Sequence, residues 1–396
     1  MPKNKSGKLA RLAFRFVLII GIANFFADMT YEGARSIIGP FLGSLGASAT
    51  IVGIVAGFGE FLGYGLRSVS GYYADRTHRY WLFVFLGYAV NLFAIPALAF
   101  AGSWPVAAAL IIAERTGRAI RRPSVEAMIS YTGKEIGSGW VFGLNEALDQ
   151  AGATIGPLIL AFILSSRKDY RSGFGVFIIP ALLCLATLVV ARVWYPRPHE
   201  LERKSAGFLG SGGFSKAYWI YTAAGALIAA GFADFSLIAF HFQRVASVSQ
   251  ETIPIFYAVA MGAGALTTLL FGILLDRIGF PIIVIAFFLG SLFAPLVFLG
   301  HFWLALLGTG LWGIGMGAQD SLLKAILTNV VVPARRSTAF GLFDTGYGIA
   351  WFLGSATMGF LYDKSLTTLI VFSVVLQLSA LPILFWARIE SKNRPL

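Results

Sequence analysis

The stretch Gly71-Tyr72-Tyr73-Ala74-Asp75-Arg76-Thr77-His78-Arg79 closes one long apolar run, and Gly272-Ile273-Leu274-Leu275-Asp276-Arg277-Ile278-Gly279 closes another half a chain later. A short charged turn recurring at that distance, between runs long enough to cross a bilayer, means that one helical bundle is written twice. Other pairs keep the same order. Phe142-Gly143-Leu144 opens one run and Phe340-Gly341-Leu342 its counterpart, Phe26-Ala27-Asp28 parallels Phe232-Ala233-Asp234, and Gly156 parallels Gly354. Chance could supply one such match; four in one order make a repeat.

The 396 residues are 57% hydrophobic and 13% charged, with mean hydropathy +0.76. A water-soluble fold of this size could not hide that surplus without large exposed apolar patches. Twelve apolar runs of about membrane-spanning length can be read, at 12–34, 47–73, 81–101, 105–130, 140–164, 174–194, 217–241, 253–275, 280–300, 303–329, 339–361 and 367–387. In hydrocarbon every backbone amide needs an internal partner, so these runs are expected to be helices. The expected architecture is an all-α membrane protein of twelve transmembrane helices, arranged as two pseudo-symmetric six-helix bundles. The bundles should span 1–194 and 217–396, joined by a cytoplasmic linker at 195–216 that carries Pro196, Pro198, charges and Gly210-Ser211-Gly212-Gly213. A parallel repeat of this kind builds a midplane site between two halves that rock.

The net charge of +12 is a matter of orientation. With the amino-terminus inside, most lysines and arginines fall on cytoplasmic segments, and only Arg167, Lys168, Arg171, Arg244 and Lys364 fall outside. That asymmetry is the positive-inside rule, so both termini are expected in the cytoplasm of a multi-pass cell (inner) membrane protein, and nucleic acid is not an expected partner. Asp28 and Glu32 sit where a signal-peptide cleavage site would need small residues, so the first run reads as an uncleaved helix. The single Cys184 permits no intramolecular disulfide.

The turn at 71–79 resembles the Gly-x-x-x-Asp-Arg signature between the second and third helices of major facilitator superfamily transporters, with a weaker echo at 272–279. The resemblance covers the whole chain and implies a gating role for Gly71, Asp75, Arg76, Asp276 and Arg277. In that family the loop aspartate lies at the amino-terminus of the eleventh helix, beside an arginine, and locks the cytoplasmic side when the carrier faces out. A carboxylate stabilises a helix amino-terminus, and a glycine lets helices approach closely. Asp75 would face the start of the eleventh run near Arg336 and Ser337, and Asp276 the start of the fifth near Ser138. The plain alternative is a turn whose charges simply stay cytoplasmic. Gly152-Ala153-Thr154-Ile155-Gly156-Pro157 resembles the Gly-x-x-x-Gly-Pro stretch of facilitator antiporters. Gly152 and Gly156 suit close packing, and Pro157 removes a backbone bond and bends the helix. The segment from Glu114 to Pro123 resembles the arginine-bearing fourth helix of proton-coupled members, with several arginines where one is usual.

Charges inside a bilayer cost about 2.5–3.5 kcal/mol each on insertion scales, so each should face the bundle interior or a partner. Asp28, Glu32 and Arg35 share one face of the first helix, and Glu60, Tyr64 and Arg67 one face of the second. The fourth carries Arg115, Arg118, Arg122 and Glu126, and the fifth Asn145, Glu146, Asp149 and Gln150. Carboxylates crowded together in dry surroundings resist simultaneous ionisation, so such a group can take a proton on one side and release it on the other. Asp28 and Glu32 lead the proton-coupling candidates, followed by Glu60, Glu146 and Asp149. Arg115, Arg118, Asn145 and Asp234 are the candidate substrate contacts. The alternative for each is a static ion pair. At the repeat offset Arg122 matches Asp320 and Glu126 matches Lys324, with opposite charges each time. These four could form a cytoplasmic latch between the halves, or Asp320 and Lys324 could pair within their own helix.

No metal, nucleotide or nucleophile signature is present. The four histidines are scattered, without cysteine partners, and there is no Gly-Lys-Ser phosphate loop. The expectation is a transporter, not an enzyme, without cofactor, acting as a monomer. It should work by alternating access and export a small organic or amphipathic molecule in exchange for protons. Proton-coupled uptake of an anionic metabolite through Arg115, Arg118 and Arg122, a lipid carrier, and a non-transporting receptor on the same scaffold are the alternatives.

Overall fold

The computed structural model describes residues 3–130, 132, 138–196, 214–331 and 336–393, and side chains within them except 3–10, 138–143, 272, 276, 324, 328–329, 336–338 and 392–393. The described residues contain helices and no strand. They form twelve rods in chain order: α1 (Lys3–Ser44), α2 (Ala49–Thr77), α3 (Tyr80–Ala97), α4 (Trp104–Ser130), α5 (Ser138–Arg167), α6 (Tyr170–Val176 and Ile178–Trp194), α7 (Lys216–Gly231 and Phe235–Arg244), α8 (Ile253–Ile278), α9 (Pro281–Ser291 and Phe293–Leu299), α10 (Phe302–Ala318, a π turn at Gln319–Leu323, then Lys324–Asn329), α11 (Arg336–Lys364) and α12 (Leu366–Asn393). Nine stretches among the described residues are long and apolar enough to cross a membrane by length and composition alone. The α4 rod is not one of them, because six charged residues lie between Glu114 and Glu126, and the first segment of α10 is only 17 residues long.

The repeat is visible in the backbone. The rod before the charged turn ends at Thr77 in one copy and Ile278 in the other, and the next rod begins at Tyr80 and Pro281. The residue after each end is left-handed, with φ of 52° at His78 and 75° at Gly279. Both turns therefore begin on a residue of positive φ, and only the second supplies the glycine that adopts it without strain.

Contacts divide the chain into two units, 1–34 with 65–206, and 35–64 with 207–396. In the first unit, α1, α3, α4 and α6 enclose a core of Phe16, Ile20, Trp81, Val84, Tyr88, Met128, Cys184 and Leu188. The α3 and α4 backbones nearly touch, because a Cβ at Gly117 would lie 2.4 Å from the Asn91 nitrogen. The α5 rod meets α1 in the same way: a Cβ at Gly152 would fall 2.3 Å from the Phe25 carbonyl oxygen, and one at Gly156 2.2 Å from that of Met29.

In the second unit, the end of α1 and the start of α2 pack against α7 and α11. The α1–α2 turn is tight. Gly46, at φ 87°, takes the left-handed position that ends a helix, and the Ala47 amide donates to the Leu42 carbonyl at 3.0 Å. A Cβ at Gly39 would lie 1.8 Å from the Ser236 oxygen, and one at Gly53 2.3 Å from the Ser355 oxygen. Gly63, in the same helical stretch, has nothing within 4 Å. Gly39→Ala is therefore expected to lower the melting temperature of the purified protein clearly. Gly63→Ala should leave it unchanged or raise it, since alanine in an open helical site is favoured by about 1 kcal/mol. Equal effects would contradict this packing.

The seventh apolar run is not the single helix its sequence suggests. It breaks at Phe232-Ala233-Asp234, where Phe232 and Asp234 are extended. The carbonyls freed by the break are taken up by other helices. Trp312 donates to the Ala233 oxygen at 2.8 Å, and Ser373 and Gln377 donate to that of Gly231 at 2.6 and 3.0 Å. A broken helix inside hydrocarbon is stable only when such partners exist. Asp234 caps the second segment by accepting from the Ser236 amide at 2.8 Å.

Candidate functional site

Among the described residues, the buried charges of the apolar runs fall into two groups, one in each unit. In the first, α1 lays Asp28, Tyr31 and Glu32 along α4. Arg121 Nη2 lies 3.9 Å from Asp28 Oδ1, and Arg118 Nη2 lies 3.8 Å from Glu32 Oε1. The guanidinium of Arg118 stands 4.4 Å from the centre of the Tyr31 ring, and that of Arg121 4.2 Å from the centre of Tyr88. Asp28 is 8% exposed and Arg121 5%, so each charge is removed from solvent and sits against both an opposite charge and an aromatic face. The Tyr88 hydroxyl donates to Asn24 Oδ1, Asn24 donates to Asn145 at 2.8 Å, and Asn145 donates to Asp149 at 3.1 Å. A continuous polar chain thus runs from α3 through α1 to Asp149 on α5.

Arg115 is paired with its neighbour Glu114 at 3.3 Å, and Glu114 accepts from Asn91 of α3 at 2.7 Å. Glu146 lies apart, exposed and accepting from Gln150 at 2.8 Å. Arg122 and Glu126 form an i,i+4 pair at 2.9 Å on the exposed side of α4. Sequence reasoning does not single out Asn24, Tyr31, Tyr88 and Arg121. A tyrosine four residues before an arginine and three after an aspartate carries no local signal, because the partner comes from another helix.

In the second unit, Arg35 Nη2 donates to Glu60 Oε1 and to Asp234 Oδ2, each at 2.8 Å. One buried guanidinium thereby joins α1, α2 and α7. Asp234, expected to contact substrate, serves here as both a helix cap and an ion-pair partner, and is 1% exposed. Tyr64 of α2 stands edge-on to Tyr347 of α11 at 5.5 Å, and the Tyr347 hydroxyl donates to Gln319 at the start of the π turn. That turn carries Asp320 on its exposed side. Its wider turn sets the backbone between Asp320 and position 324 off the register of a regular helix.

At the charged turn, Asp75 accepts from the Tyr80 hydroxyl at 2.9 Å, Arg76 donates to Tyr72 at 3.3 Å, and a Cβ at Gly71 would lie 3.3 Å from Pro123 of α4. Arg277 is exposed. The side chains of Asp276, Lys324, Arg336, Ser337 and Ser138 lie outside the described residues, as does most of the linker, so the gating expectations that involve them stay expectations.

The family model described as Major Facilitator Superfamily matches residues 20–301 and 263–396. The chain is 38% identical to the uncharacterized protein Rv2265 of Mycobacterium tuberculosis, over 95% of this chain and 94% of that protein. It is 26% identical to the uncharacterized MFS-type transporter MJ1317 of Methanocaldococcus jannaschii, over 93% and 94%. Among solved structures, the nucleoside transporter NupG superposes with a TM-score of 0.74 at 13% identity, covering 96% of this chain and all of that one. The peptide transporter POT in complex with sulfate gives 0.73 at 13% identity, covering 96% of this chain and 94% of that one. The chain belongs to the major facilitator superfamily. It is a multi-pass membrane protein with that fold, and a secondary transporter.

Proposed function

We propose that the protein exports a small neutral or cationic amphipathic molecule in exchange for protons, by alternating access, as a monomer in the cell inner membrane with both termini in the cytoplasm. The observation that carries the substrate class is the pairing along α4. Arg115 has Glu114, Arg118 has Glu32 and Arg121 has Asp28. A site for an organic anion needs positive charge not already committed to a carboxylate. Here each of these arginines has an acidic partner, which favours substrates without negative charge.

Proton coupling rests on the same contacts. Asp28 and Glu32 hold their arginines at 3.8–3.9 Å, loose enough that a proton on either carboxylate would release its partner. Release would free Arg121 to its aromatic neighbours and change the packing of α1 on α4. Protonation then biases one arrangement over another, which is what coupling requires. Asp149, at the end of the polar chain, gives a second place for the proton.

The test is a comparison of metabolite and toxin sensitivity in cells with and without the protein, followed by flux in proteoliposomes under an imposed pH gradient. Export of an amphipathic cation that collapses with the gradient is the expected result. Tight binding of an organic phosphate or carboxylate that disappears in Arg115→Gln would overturn the substrate class. Flux indifferent to pH would overturn the coupling.

A further inference from the structure

We propose that Asp363, Thr50 and Arg244 form a latch between the two sequence halves at the outer end of the protein, with Asp363 of α11 capping the amino-terminus of α2. An α-helix begins with amides that have no partner within the helix. In α2, Ser48 takes only one of them, accepting from the Ile51 amide at 3.3 Å. Asp363 takes the two before it: its carboxylate accepts from the Ala49 amide at 3.3 Å and from the Thr50 amide at 2.9 Å. The Thr50 hydroxyl adds a third bond at 2.7 Å. Arg244, the last residue of the second segment of α7, lies 3.5 Å from the same carboxylate and is held over the Phe240 and Tyr362 rings.

The position of Asp363 makes little sense for its own helix. It sits in the last turn of α11, where the macrodipole is negative and a carboxylate is unfavourable. It is well placed only for α2, whose amino-terminal amides it meets. Burial alone would raise its pKa, but the bonds from Thr50 and Ala49 and the charge of Arg244 outweigh that and hold it below the ordinary carboxylate value. The latch is therefore ionised at neutral pH. Behind it the two helices meet without a gap, since a Cβ at Gly359 would lie 2.5 Å from the Ala49 oxygen, and Ser355 faces Gly53 and Gly57. Opening this end must separate α2 from α11, return three donors to water and strip the carboxylate of its partners.

The inference rests on the orientation and alternating access proposed above, and the experiment separates the two. Ser355 is 2% exposed and replaces well with cysteine, and the native Cys184 is fully buried. In right-side-out vesicles, Ser355→Cys should react slowly with a membrane-impermeant cationic thiol reagent. Adding Asp363→Ala should raise the rate by about fivefold or more, the loss expected for a charged cap. Asp363→Asn should fall between, because asparagine still caps, and Thr50→Val should have a smaller effect. An unchanged rate in Ser355→Cys/Asp363→Ala overturns the latch. Reaction of Cys184 at the same rate would mark unfolding. The comparison then passes to Asp363→Asn, whose rate must still exceed the parent's or the proposal fails. Faster labelling confined to inside-out vesicles would support the latch while reversing the orientation. No substrate is needed, so failure of the export reading leaves this result standing.

Discussion

Arg35→Met should leave a protein that melts far below the parent and carries no flux. The guanidinium holds Glu60 and Asp234 at 2.8 Å each, in a site closed to solvent. Removing one member of a buried ionic cluster typically costs about 3–5 kcal/mol, because the charges left behind lose their counter-ion without regaining water. Few membrane proteins have that much stability to spare. The informative comparison is the triple variant Arg35→Met/Glu60→Gln/Asp234→Asn, which removes all three charges and keeps side-chain volume. Its melting temperature should recover most of the loss, since neutral replacements of a buried triad are often no less stable than the ions. Asparagine at 234 also keeps the cap on the Ser236 amide. Transport should not recover, because α1, α2 and α7 are then held by packing alone, with no ion pair left to break and re-form as the carrier cycles. A triple variant with parental flux would show the cluster to be a structural pin only. An Arg35→Met that melts with the parent would show that the cluster does not hold α1, α2 and α7 together.

How much of this could be read from the chain differs by feature. The architecture was legible in the repeated turn at Asp75 and Asp276, because a charged turn that closes one apolar run and recurs half a chain later is visible in a short local stretch. The face bearing Asp28, Glu32 and Arg35 was equally legible, because a helix places residues four and seven apart on one side. The partner of Arg35 was not, since Asp234 lies half a chain away and reaches it only because α7 breaks. The break was hidden by the repeat itself. Phe26-Ala27-Asp28 stays helical in α1, whereas Phe232-Ala233-Asp234 opens, and the triplets are identical. The difference lies in Trp312, Ser373 and Gln377, which supply donors to the freed carbonyls. Asp363 escaped notice for a similar reason. In sequence it is one more charge at a helix end, and its meaning depends on the amides of Ala49 and Thr50.

Asp28→Asn should reduce uphill transport driven by a pH gradient to the level of protein-free vesicles, while substrate binding is partly kept. The carboxylate lies 3.9 Å from Arg121, on α1 between the Asn24 chain and the Glu32–Arg118 pair. Asparagine keeps the shape and can still hydrogen bond to Arg121, but it cannot change charge. A proton arriving from the outside then finds no acceptor at this position, and the release of Arg121 no longer depends on the gradient. Equilibrium exchange of substrate, which needs no net proton movement, should survive. That contrast separates coupling from folding, because a merely destabilised variant would lose exchange and uphill flux together. Glu32→Gln is the necessary companion, since its pair with Arg118 is built the same way on the same helix face. If Asp28→Asn still accumulates substrate against a gradient at the parental level while Glu32→Gln does not, the proton belongs to Glu32. If neither substitution matters, both carboxylates are static counter-ions for α4, and the coupling group must be sought at Asp149, where the polar chain from Tyr88 ends on α5.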